Sequence, residues 1–177
     1  MKNSKSNVTV GLVIGLLILL IVCTAGYVVT INLSKDIFIN SQNSVLASES
    51  LQQSDEKYLI YYYDSTTITE TQKAEISNFK ENFGSFVPVY LVDINNPENA
   101  EFVGETNLPV GENPDIASFK LAAADAPTLM LVTVEKDVEA KTSLVTVREV
   151  TTSQAAIDEL INTLSNDVVN ENTKTAG

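Results

Sequence analysis

Residues 8–31 form a run of 24 without one charged side chain, "VTVGLVIGLLILLIVCTAGYVVTI". At about 1.5 Å of rise per residue, such a helix crosses the ~30 Å hydrocarbon core of a bilayer with some tilt. A buried core helix seldom needs so uniform an apolar surface, so the run predicts a transmembrane helix. The preceding residues 1–7, "MKNSKSN", are polar and carry Lys2 and Lys5. Basic residues on that side favour a cytoplasmic N-terminus and a cell-membrane, single-pass protein whose remainder is extracytoplasmic. Tyr27 falls near the outer end, where aromatic side chains commonly anchor. A signal-peptidase cut after Cys23-Thr24-Ala25 would secrete the domain instead. The apolar character runs on to Leu33, which favours an uncleaved anchor. Val22 stands where lipidation of Cys23 requires a small residue.

Composition removes several classes of chemistry. The formal net charge is −12 and the pI about 4.3, which argues against nucleic acid and against electrostatic binding to anionic lipid headgroups. There is no histidine, so Ser–His and Cys–His catalysis and imidazole-ligated zinc sites are excluded. Cys23 is the single cysteine, so neither an intramolecular disulfide nor a CxxC pair can form. No cofactor or metal is implied.

Residues 32–54 are rich in Ser, Asn and Gln and read as a tether. The domain is expected over 55–166, followed by a disordered polar tail over 167–177. Within the domain, Lys57–Tyr63, "KYLIYYY", has the aromatic and branched content of a strand. Glu70–Phe83 places Ile76, Phe79 and Phe83 at helical spacing. Val87–Ile94 reads as a second buried strand that ends in the turn-forming "NNPEN". Asn113-Pro114 predicts the start of a short helix that turns Ile116 and Phe119 inward. Thr128–Val134 and Ser143–Val150 predict an antiparallel hairpin across a charged turn. Thr151–Leu164 predicts a final helix, with Thr151 and Gln154 as a capping box and Ile157, Leu160, Ile161 and Leu164 on one face. The class is α/β, in the order β-α-β-α-β-β-α.

That order, with "YLIYYY", "VYLVDINNPENAEF", "NPDIASF" and "APTLMLV" in sequence, resembles the thioredoxin-like superfamily over about Lys57 to Leu164. The resemblance implies a thioredoxin-like domain behind one N-terminal transmembrane helix. It also implies that Ala126-Pro127 is a cis peptide bond before the third core strand. Active members carry CxxC in the first turn after the first core strand, where the helix start lowers a thiol pKa. Here those places fall on Thr67, Ile68, Thr69 and Glu70, give or take one residue. Thr67-x-x-Glu70 reads as a capping box instead. The buried acid that many members keep on the strand is replaced by Tyr61. The chain is similar to a membrane-anchored, redox-inactive member.

What such a member keeps is a groove between the proline loop and the first helix. Tyr63, Asp64, Thr66, Thr67, Ile68, Ala126 and Pro127 are the candidate binding residues. Ala126 would pair with an extended protein or peptide segment as in β-augmentation. An alternative is an accessory protein of an envelope-assembly or peptide-export system. In overall plan the chain is similar to small anchored thioredoxin-like proteins without cysteines that sit beside peptide exporters in Gram-positive bacteria. A third reading is a carboxylate-based enzyme in which Glu70 and Asp64 share a proton. A threonine nucleophile would have only Lys73 nearby as a base. The Asp93–Glu98 turn has oxygens for calcium but lacks the glycine and spacing of an EF-hand loop.

Overall fold

The computed structural model describes residues 44–137, 139 and 141–175. The predicted transmembrane run, the cytoplasmic N-terminus and the first part of the tether lie outside the described residues. Among the described residues, no helix is long and apolar enough to cross a membrane.

The domain is α/β. Five strands form one mixed sheet: β1 (Lys57–Tyr63), β2 (Val89–Asp93), β3 (Gly111–Glu112), β4 (Thr128–Asp137) and β5 (Thr142–Thr151). Their spatial order is β2-β1-β4-β5-β3. β1 runs parallel to β2 and antiparallel to β4, and β4 is antiparallel to β5. Interior strand β1 is covered on both faces, which is why it reads as a continuous apolar run rather than an alternating one. Tyr61 and Tyr62 are both buried, on opposite faces, and only Tyr63 reaches the rim.

On one face, two helices pack against Leu59, Tyr61, Leu91 and Leu129. They are α1 (Glu70–Phe83), over the residues expected, and α2 (Gln154–Thr175). α1 contributes Ile76 and Phe79; α2 contributes Ile157, Leu160, Ile161, Leu164 and Val168. Of the disordered tail expected over 167–177, the described part, 167–175, is corrected: it is helical. The apolar face of α2 continues into Val168, and the helix with it. Its cap is corrected too, since Thr151 ends β5 opposite Leu129. Ser153 Oγ instead accepts from the Ala156 amide at 3.3 Å.

The opposite face carries no α-helix among the described residues. Short 3₁₀ turns at Ala47–Glu49, Pro97–Phe102, Ile116–Ser118 and Ala123–Asp125 cover Tyr58, Ile60, Tyr62 and Met130. The helix expected after Asn113-Pro114 is only the turn Ile116–Ser118. Phe119 and Leu121 are both buried while Lys120 between them faces outward, a period of two that an α-helix cannot satisfy.

The tether boundary is corrected as well. Of residues 32–54, those from Ser44 onward belong to the domain. Ser44 bridges Leu91 at the outer edge of β2, where the Val45 amide donates to the Leu91 carbonyl at 3.0 Å. Ala47, Ser50 and Leu51 are buried, and Ser50 Oγ hydrogen-bonds the Tyr62 hydroxyl at 2.8 Å. A serine-rich segment looks solvated by composition, but its few apolar positions and one hydroxyl each find a buried partner here.

Candidate functional site

The loop from β1 to α1 is shaped by Asp64. This residue is 7% exposed, and its Oδ1 accepts from the Thr66 amide at 2.8 Å, from Thr66 Oγ1 at 2.6 Å and from Asn95 Nδ2. Its carbonyl accepts from the Thr67 and Ile68 amides at 3.1 and 2.9 Å. Those side-chain bonds, led by the one from the Thr66 hydroxyl, hold the carboxyl below its ordinary range. The folded state therefore favours the carboxylate, and its contribution to stability is present above the unfolded carboxyl's pKa of about 3.9 and lost on acidification. Asp64→Asn should lower the midpoint of thermal unfolding near neutral pH, with the gap to the parent closing as acidification protonates the folded-state carboxyl. A gap that does not change with pH would contradict this account.

The N-cap of α1 lies two residues later than expected. Thr69, not Thr67, is the N-cap: Thr69 Oγ1 accepts from the Gln72 amide at 3.3 Å, and Gln72 Oε1 accepts from the Thr69 amide at 2.9 Å. Thr69-x-x-Gln72 satisfies the capping pattern as well as Thr67-x-x-Glu70 does. Frame is decided by Asp64, whose turn uses residues 65–68 and leaves Glu70 as the first helical residue.

Across from this helix start lies the Ala126-Pro127 loop, and that peptide bond is cis. Thr128 is buried, and its hydroxyl donates to the Asp125 carbonyl at 2.8 Å. Asp125 in turn accepts from Thr106 Oγ1, which itself accepts from the Ala122 amide at 2.9 Å. The loop is thus braced from behind. Ala126 is extended, at φ −81° and ψ 140°, and its amide donates to the Ala123 carbonyl at 3.3 Å.

Between the two loops is a groove of about 200 Å³, lined by Tyr63, Asp64, Thr67, Ile68, Thr69, Gln72, Ala126 and Pro127. Six of the seven residues expected to form a groove meet here: Tyr63, Asp64, Thr67, Ile68, Ala126 and Pro127. Thr66 does not line it, because both its amide and hydroxyl are turned onto Asp64. Thr69 and Gln72 were not among the expected groove residues; the spacing Thr69-x-x-Gln72, an alternative capping pattern, is the signal that could have found them. Tyr63 stacks on Tyr61 with ring centroids 6.3 Å apart. Burial, with the charge of Asp93 in support, pushes its hydroxyl up to about 12, so it meets a ligand as a neutral phenol.

Glu70 stands outside the groove and pairs with Lys73 at 2.8 Å. Asp64 and Glu70 are thus engaged with different partners, and the expected shared proton between them is corrected. Lys73, the only base that sequence placed near Thr67 and Thr69, is held in that same ion pair. In the Asp93–Glu98 turn, Asp93 Oδ1 accepts from the Asn95 and Ser65 amides at 3.0 and 3.2 Å, while Asn96 Oδ1 accepts from the Glu98 amide at 3.1 Å. Those oxygens close the turn. Among the described residues, no group of three or more Cys, Asp or Glu side chains could hold a metal ion.

Fold and site together define an α/β domain with a mixed five-stranded sheet and a small groove between a helix start and a cis-proline loop. Comparison of the chain with protein-family models, with curated proteins and with solved structures finds no match.

Proposed function

We propose that this chain is a membrane-anchored, extracytoplasmic, thioredoxin-like domain without thiol chemistry that binds an extended protein or peptide segment. The reading rests above all on the groove. Ile68 and Pro127 offer partly exposed apolar walls, and Tyr63 a phenol. The β1-α1-β2 and β4-β5-α2 units and the cis bond before β4 support the thioredoxin-like assignment, although a 3₁₀ turn and the short β3 stand where the second helix of that order was expected. One cysteine in the whole chain leaves no dithiol to carry electrons. With its amide committed to Ala123, Ala126 offers a partner its carbonyl, so a bound strand would donate an N–H there.

A photo-crosslinking residue at Thr67 of the full-length chain, introduced in whole cells, tests the proposal. A discrete adduct is expected, lost with Ile68→Ala and with Ala126→Asp while both variants keep the parent's thermal midpoint. An adduct that survives both substitutions would place the binding surface elsewhere. Dithiol-reductase turnover by the purified chain would remove the non-redox part of the reading.

A further inference from the structure

One cluster of titratable groups lies behind the groove and is not explained by the peptide-binding reading. Glu75 of α1 and Asp158 of α2 are both partly buried and face each other across the helix interface. Gln154 joins them: its Nε2 donates to Glu75 Oε2 at 2.7 Å and to Asp158 Oδ1 at 2.7 Å. Gln154 Oε1 accepts from Gln72 Nε2 at 3.1 Å. The other end of the Gln72 amide, Oε1, accepts from the amide and hydroxyl of Thr69 at 2.9 and 3.0 Å. Thr69 and Gln72 both line the groove. An unbroken chain of hydrogen bonds therefore links two carboxyl groups to the groove wall.

We propose that Glu75, Gln154 and Asp158 form a proton-operated clasp between α1 and α2 that sets the groove wall through Gln72. This deepens the peptide-binding reading and rests on it for its purpose, but not for its mechanism. With a proton on Glu75, its hydroxyl oxygen donates to the Asp158 carboxylate and the two helices are tied. Without it, two carboxylates face each other in a partly dry interface and repel. The other titratable group facing Glu75 is the Tyr61 hydroxyl of β1, which is itself buried and held neutral. The described ion pairs, Lys73–Glu70 and Arg148–Glu135, bring no cation to the cluster. Burial first, then the bond to and charge of Asp158, push Glu75 up to about 7, against a smaller opposing effect of Gln154. A raised carboxyl stabilises the fold below its unfolded pKa, and that stabilisation is lost as pH rises towards 7. The clasp is closed in mild acid and opens above neutrality.

Isotope-labelled full-length chain, titrated from about pH 4 to 9 by nuclear magnetic resonance, reads the clasp directly. The Glu75 carboxyl carbon should titrate near 7, and the Thr69 amide and the Gln72 side-chain amide should shift with the same midpoint. Asp158→Asn should lower the Glu75 midpoint by about one pH unit or more. Glu75→Gln should leave the Thr69 and Gln72 signals flat across that range. An ordinary midpoint for Glu75, or Thr69 and Gln72 signals that ignore its titration, would overturn the clasp. Neither result touches the crosslinking test, because no peptide is present. Conversely, loss of the peptide-binding reading leaves this titration unchanged.

Discussion

Phe119→Ala lowers the stability of the folded chain by about 3–5 kcal/mol, the range for truncating a buried phenylalanine. Phe119 is 1% exposed and comes from an irregular stretch, yet it is a central side chain on the sheet face that lacks helices. Its ring stacks on Tyr62 at 4.7 Å between centroids and meets Phe102 at 6.3 Å. Aromatic pairs of this kind add about 0.5–1.5 kcal/mol beyond the area that they bury. Alanine there leaves a void that short 3₁₀ turns, each fixed in place by its own local hydrogen bonds, are poorly placed to refill. Denaturant unfolding followed by tyrosine fluorescence is the measurement, with Tyr62 as the nearby reporter. A loss below about 1 kcal/mol would mean that this coat is loosely applied and not part of the core.

Asn99→Ala costs about 2–6 kcal/mol, by a different mechanism. Asn99 is 1% exposed, so both ends of its amide act away from water. Its Oδ1 accepts from the Ala47 amide at 2.9 Å, and its Nδ2 donates to the Asp93 carbonyl at 2.8 Å. Removing the side chain strands one buried donor and one buried acceptor, each worth about 1–3 kcal/mol when unsatisfied. The Ala47 contact also reaches the segment that composition assigns to a tether. Hydrogen exchange locates the damage: protection of the Ala47 amide should fall more than that of amides in the interior strand β1. Uniform loss across the domain would instead show that residues 44–53 unfold only with the rest.

Much of the fold is legible in the residues themselves. "KYLIYYY" is aromatic and branched throughout, and it forms an interior strand over the bounds that its composition suggests. Ile76, Phe79 and Phe83 recur at helical spacing, and α1 spans Glu70–Phe83. The groove could also be placed, because it needs only a strand end, a helix start and the proline before β4. Less legible were caps and borders. Two overlapping capping patterns, four residues long and two apart, are locally equivalent, and the Asp64 turn chooses between them. β4 and β5 run to Asp137 and Thr142, beyond the apolar stretches, because paired backbone carries polar residues such as Glu135 and Lys136 along with it.

Local order decided the four longer strands and the two long helices, and composition the lack of a cysteine pair, since periodicity and residue type act over a few neighbours or not at all through space. Tertiary packing decided everything that depends on a partner distant in the chain. Ser50 is interior because Tyr62 needs an acceptor or donor beside it. Val168 keeps α2 helical past the expected end because the helix-covered side of the sheet extends that far. Glu75 and Asp158 lie 83 positions apart in sequence. Their meeting, and the proton it favours, exists only because α1 and α2 share one face of the sheet.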